Sequence, residues 1–141
     1  MGRKAKGTLL NIGDGAGPEV FTPVAELTSI GLPEFGTGTI DVTNFDSADE
    51  EHVSDGIQAH GEVAIEGNWL PEHATQSETT GLLAKAIAGE PTNWTVVVSA
   101  GAGTKTFAFA AIPRFMPKVG GPKDALKFSG TLKVTGAITI T

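Results

Sequence analysis

This sequence predicts a mainly β fold, a sandwich or barrel of about seven or eight strands with one flanking helix. Three observations carry that expectation. Apolar residues recur at every second position through most of the chain, and its 19 glycines and 8 prolines fall at the breaks. Only the stretch 75–88 has helical composition. Cysteine is absent, so neither a disulfide framework nor a thiolate metal site is available, and stability rests on apolar packing and partner subunits. At 141 residues the chain reads as one domain, 1–141.

The elements follow in chain order. Thr8 to Ile12 and Phe21 to Ile30 are candidate strands, and Ile40 and Val42 flank Asp41 in a shorter one. From Glu62 to Trp69, Val63, Ile65 and Trp69 take one face, and Glu62, Ala64 and Glu66 the other. The helix over 75–88 carries Leu82, Leu83, Ala84, Ala86 and Ile87, with Gly89 and Pro91 as its stop. Thr75 with Glu78, or Ser77 with Thr80, would cap its start. Trp94 to Ser99 and Thr104 to Ala111 form a hairpin closed by Ala100-Gly101-Ala102-Gly103, with Trp94, Val96 and Val98 answered across the pair by Phe107 and Phe109. Ala125 to Thr135 places Leu126, Phe128, Leu132 and Val134 on one face. Gly130 shares that face and marks a bulge or a close backbone approach. Ala137 to Thr141 is a short terminal strand. Two exposed connections remain: a long acidic loop over 43–60, and 114–123 with two prolines and three cations.

Charge is segregated along the chain. Between Gly7 and Ala84 there is no lysine or arginine, yet 14 of the 16 carboxylates lie there. The segments before, within and after carry +3, −14 and +5, for a net charge of −6. Surfaces of opposite sign on one molecule attract their counterparts on neighbouring copies, head to tail. Strands from both halves interleaving in one sheet would erase that separation. An acidic chain is a poor grip for nucleic acid, whose phosphates need clustered cations, although a carboxylate-rich surface can face DNA without holding it. No apolar run reaches the ~18 residues of a membrane span, or the ~7–15 of a signal peptide. The expectation is a protein made in a cytoplasm and soluble there until it assembles.

Motifs for chemistry are weak. Asn11 to Pro18 lacks the G-x-G-x-x-G spacing, and Gly101 to Thr106 lacks the Gly-Lys-Thr adjacency of a phosphate loop; both read as turns. The acidic residues Asp41, Asp46, Asp49, Glu50, Glu51 and Asp55 do not follow the EF-hand pattern and read as a solvated or subunit-facing loop. His52, His60 and His73 form no ligand pair and read as surface residues, and no G-x-S-x-G occurs. Trp69 and Trp94 sit on the apolar parity of their strands, which favours core packing over sugar stacking.

Four stretches, in order, resemble the major tail tube proteins of long-tailed bacteriophages. They are Leu9 to Gly15 with Pro18 to Ile30, then Ile40 to Ser47, then Gly61 to Trp69 with the proline that follows, and finally Phe128 to Gly136. The resemblance spans nearly the whole chain except its lysine-rich start. It implies a β-sandwich with a flanking helix whose copies form hexameric rings, stacked into a hollow tube through which the genome passes. It also implies similarity in fold to the tube protein of type VI secretion, a place in the virion tail, and no cofactor and no catalysis. The partners it implies are further copies of the chain and tape-measure, tail-terminator and baseplate proteins. On that reading, Asn44, Phe45, Asp46, Asp49, Glu50, Glu51, His52 and Asp55 are candidate ring-stacking residues. They would meet Arg114, Lys118 and Lys123 of the next copy, while Glu62 and Glu66 would face the lumen. The alternatives are a carbohydrate- or receptor-binding β-sandwich of a virion and the tube of a phage-derived secretion device.

Overall fold

A computed structural model describes residues 2, 5–100 and 103–141. Met1, Arg3, Lys4, Gly101 and Ala102 lie outside them, and with the last two the middle of the closure expected over Ala100 to Gly103. Among the described residues the order is β1 (Leu9–Gly13), β2 (Phe21–Pro23), β3 (Leu27–Ile30), β4 (Thr37–Asp41), β5 (His52–Gln58), β6 (Glu62–Asn68), α1 (Leu82–Ala88), β7 (Thr92–Ala100), β8 (Gly103–Lys118) and β9 (Lys127–Ile140). Seven strands form one antiparallel sheet in the order β2-β1-β7-β8-β9-β6-β3, and β4 pairs with β5 in a separate ribbon.

The sheet cannot be flat. Seven flat strands would hold β2 and β3 about 29 Å apart at ~4.8 Å per step. Yet only Val24, Ala25 and Glu26 separate Pro23 from Leu27, a reach of at most about 14 Å. The sheet therefore curls until its edges meet. Val24 N–H donates to Leu10 O on one side of the seam (2.9 Å), and Asn68 N–H to Glu26 O on the other (2.9 Å).

Curling encloses the faces that alternate inward. Leu10 and Ile12 of β1, Trp94 and Val96 of β7, Phe109 and Ala111 of β8, Phe128 and Leu132 of β9, and Val63 and Ile65 of β6 are buried together with Leu82 of α1. Each of the Val, Leu, Ile and Phe side chains contributes about 1.5–3 kcal/mol by leaving water. Trp94 Nε1 donates to Ala111 O (3.3 Å), so the largest buried side chain carries no unmet donor. The hairpin register is the expected one, Trp94 opposite Phe109 and Val96 opposite Phe107.

Gly130 marks a close approach. A Cβ there would stand 2.8 Å from Arg114 O and 3.3 Å from Ile65 Cγ1, beside the stacked rings of Phe115 and Phe128. Gly130→Ala is expected to cost about 1–3 kcal/mol, read as a lower denaturant midpoint at constant slope. An unchanged midpoint would show that the two strands can part freely.

Several expected boundaries move, each for a physical reason. The helix begins at Leu82, not at 75, because Thr75 to Gly81 spends its side chains on local and tertiary bonds. Gly81 is the N-cap without a side-chain cap, so neither expected pair caps the helix. Ser77 Oγ instead accepts from Thr80 N–H within the turn. The strand expected over Phe21 to Ile30 is two strands, broken where Glu26 takes φ 61. Ala125 to Thr135 and the terminal strand are one element, β9, with Gly136 (φ 82) absorbing the irregularity. The connection over 114–123 shrinks, since β8 runs on to Lys118. Its Pro113 and Pro117 are tolerated because β7 pairs only as far as Ala111, leaving β8 an edge on that side. The acidic loop over 43–60 holds a strand, β5, in its second half.

Candidate assembly interface

The acidic segment is built as an arm. β3 and β6 continue past the sheet as one ribbon, with Gly31 N–H bonded to Ala64 O (2.8 Å), Glu34 N–H to His60 O (3.1 Å) and Ala59 N–H to Gly36 O (2.8 Å). Beyond them β4 pairs with β5, Asp41 opposite His52 and Ile40 opposite Val53. Phe35 meets His60 edge-on (5.4 Å) and tilts over Phe107 (6.3 Å), which fixes the base of the arm against the sheet. Every residue of β4 and β5 is exposed.

Its tip is ordered by its own side chains. Asp41 Oδ1 accepts from Thr43 N–H (2.9 Å), Asn44 Oδ1 from Asp46 N–H (2.9 Å), Ser47 Oγ from Asn44 N–H (3.1 Å) and Thr43 Oγ1 from Glu51 N–H (2.9 Å). Hydrogen bonds from the Thr43 side chain and then its backbone hold the Asp41 carboxyl below its ordinary pKa. Asp41, Glu50 and His52 each bring a donor atom within 4.8 Å of the others. Hard cations take six or more oxygens, whereas this exposed trio offers three donors and Asp41 Oδ1 is already engaged. It reads as a charged contact surface.

One face of the arm is apolar and uncovered. Ile40, Val42 and Val53 are exposed, and Phe45 at the tip is fully so, at 110%. A lone two-stranded ribbon is marginal in water, so such a face calls for a partner. The sequence signal was present as an apolar pair, Ile40 and Val42, just before a run of acids; only the structure shows that nothing among the described residues covers it.

The cations gather elsewhere. Lys118 and Lys127 stand opposite each other across β8 and β9, Arg114 lies on the same outer face, and Lys123 sits in the turn over 119–126. Met116, Val119 and Leu126 are exposed beside them. Trp69 N–H donates to Leu126 O (2.9 Å), placing this turn at the Asn68 end of β6. The arm leaves from the Glu62 end. The two groups thus leave opposite ends of β6, about 20 Å apart. Charge segregation survives folding at these two ends. Along β6 it does not: Glu62 stands opposite Lys133 and Glu66 opposite Ser129, so the exposed face holding both glutamates is mixed in sign.

Other candidate chemistry resolves into structure. Thr75 N–H (3.2 Å) and its hydroxyl (2.9 Å) both reach His73 Nδ1, but Thr75 is buried and Oγ1 also accepts from Ala25 N–H (3.1 Å). That pair anchors a turn to the β2–β3 seam. His52 and His73 are exposed and His60 is half-buried. Trp94 is wholly buried, and Trp69 is half-buried against Phe115.

Of the Asn11 to Pro18 segment, expected as a turn, Asn11 to Gly13 belong to β1 and only Asp14 to Pro18 form a loop, centred on a carboxylate. Asp14 Oδ1 accepts from Ala16 N–H (2.9 Å) and Val20 N–H (3.1 Å), bonds that hold its pKa below the ordinary value. A depressed carboxyl contributes stability above its unfolded pKa and loses it as pH falls through the folded one. The amide shifts of Ala16 and Val20 should therefore titrate together in acid, with a midpoint below that of an unperturbed aspartate, and stay still in Asp14→Asn. A midpoint at the ordinary value would refute the bonding.

No protein-family model matches the chain. No curated protein matches it either. Solved structures do. A chain in the tail of an empty gene transfer agent particle, reconstructed with helical refinement and C6 symmetry, agrees with a TM-score of 0.73 over 99% of both chains at 19% identity. The chain shares the fold of that tail chain. A second match lies in the virion of the native gene transfer agent, with a TM-score of 0.71 and 17% identity over 99% of both chains. A third, in the 6-fold symmetrised baseplate of the anti-feeding prophage, reaches 0.63 at 8% identity over 100% of this chain and 97% of that one. The β-sandwich and flanking helix expected from the tail-tube resemblance are the ones present.

Proposed function

We propose that this chain is a structural, non-enzymatic subunit of a phage-like tail tube, one domain whose copies close into hexameric rings and stack. One observation carries the reading: end-to-end fold agreement with a chain of a helical, C6-symmetric tail. The placement of an acidic arm and a cationic turn at opposite ends supports it, since heterologous contacts of that kind propagate. The arm, with Asn44, Phe45, Asp46, Asp49, Glu50, Glu51, His52 and Asp55, serves ring-to-ring contact with Arg114, Lys118 and Lys123 of the next copy. The outer face of β6 lines the lumen, where Glu62 and Glu66 beside Lys133 give DNA a surface of mixed sign with little grip. Tape-measure, tail-terminator and baseplate proteins complete the tail, which assembles in the host cytoplasm. Fold agreement with the anti-feeding prophage baseplate chain extends the reading to tubes of phage-derived devices. The burial of Trp94 speaks against a glycan-stacking module. Electron micrographs of the concentrated protein test the proposal: rings and hollow tubes are expected, and persistent monomers in the presence of tail-assembly factors would overturn it.

A further inference from the structure

We infer that the arm of one copy docks on the β8–β9 turn of a second copy through an apolar centre ringed by ion pairs, with Phe45 as its anchor. The inference deepens the stacking reading above, but the contact itself needs no ring. Its first ground is the matched pair of uncovered apolar surfaces. The arm offers Phe45, Ile40, Val42 and Val53; the turn offers Met116, Val119 and Leu126. Aromatic and aliphatic groups at the centre of a patch, with charges at the rim, are the usual anatomy of a specific interface.

Charge is the second ground. Lys118 directly opposes Lys127 in the β8–β9 ladder, a like-charge pairing that destabilises an isolated sheet. Asp124, the acid nearest in sequence to Lys123, is engaged within its own turn: its Oδ2 accepts from Gly121 N–H (2.9 Å). On the arm, Asp41 and Glu50 crowd within 4.8 Å, with Glu51 adjacent. Each end carries like charges that the other end would relieve.

Position is the third ground. Arm and turn leave opposite ends of β6, and the apolar residues of both stay exposed within one copy, so the contact is made in trans. An exposed apolar patch without its complement invites promiscuous aggregation, whereas the acid rim of the arm repels other arms and admits only the cationic turn.

Two variants test the contact. Phe45→Ser with Val53→Ser removes the arm's apolar face; Val119→Asp with Leu126→Asp removes the turn's. All four positions are exposed, so both proteins should keep the wild-type circular dichroism spectrum. Each alone should remain unstacked at concentrations where the wild type assembles. Mixed, they should form 1:1 pairs, or paired rings, that grow no further, because the mixture holds one sound arm and one sound turn per pair. Light scattering and analytical ultracentrifugation read this directly. A turn variant carrying Lys118→Glu and Lys123→Glu repeats the test if the aspartates disturb folding. Stacking by either variant alone at the wild-type concentration would overturn the inference, as would folded variants that fail to pair when mixed. Micrographs separate the two readings. Open filaments without rings from the wild type would sink the tube and leave the contact standing, whereas tubes built by the arm variant would sink the contact and leave the tube.

Discussion

Replacing Gln76 with leucine is expected to lower stability by about 3 kcal/mol and the thermal midpoint by ~10 °C, although no catalytic or assembly surface is touched. Gln76 is wholly buried, and its amide makes three hydrogen bonds to the backbone, using both Nε2 donors and the Oε1 acceptor. Its Oε1 accepts from Leu70 N–H (2.8 Å), and its Nε2 donates to Ala25 O (2.7 Å) and Asn68 O (3.1 Å). Those partners belong to the seam between β2 and β3, the end of β6 and the start of the turn that leads to α1. One side chain therefore ties together the closure of the curled sheet. Leucine roughly matches the volume but leaves a part-buried N–H and two part-buried carbonyls with one partner fewer, which together outweigh the gain in apolar burial. Differential scanning calorimetry checks this. A midpoint within about 2 °C of wild type would mean that water replaces the amide and that the seam closes without it.

Gln76 also shows where sequence reading stops. β6, β7, β9 and the approach at Gly130 were legible because one face of each strand is buried by the same chain, which writes a period of two into the residues. β5 was not legible. None of its residues is buried, so His52 to Gln58 alternates in pairing without alternating in burial, and reads as loop. The turn before α1 was hidden differently. Its Thr and Ser residues match helix-capping patterns, but Thr75 and Gln76 are recruited by Ala25, fifty residues away in sequence, and no local pattern encodes that. Arg114 and Lys118 were found as candidates while their strand was missed, since Pro113 and Pro117 signal a break unless the missing pairing of β8 beyond Ala111 is known. Charge grouping was legible in sequence at the two ends and misleading along β6, where Lys133 comes from the other half of the chain.

Reversing Glu50 and Glu51 to lysine is expected to raise the concentration needed for stacking by at least ~100-fold while leaving the fold intact. Both side chains are exposed, so the cost to folding should stay under about 0.5 kcal/mol. The Glu51 side chain accepts one bond, from Ser47 Oγ (3.1 Å), whereas the loop is also held through the Glu51 backbone N–H on Thr43 Oγ1, which lysine preserves. Removing Glu50 also relieves its crowding against Asp41. In the assembly the sign inverts. Two new cations would face Lys118, Lys123 and Lys127 of the next copy, and like charges brought together at an interface cost several kcal/mol. Raising salt should partly restore stacking, because screening weakens the repulsion while the apolar centre at Phe45 is unaffected. A second protein carrying Lys118→Glu and Lys123→Glu should stack on the reversed arm when the wild-type turn does not. That pairing isolates the contact from any general effect of net charge. Equal stacking thresholds for wild type and reversed arm would refute the electrostatic rim, and failure of the complementary pair, with both proteins folded, would place the partner of the arm elsewhere on the molecule.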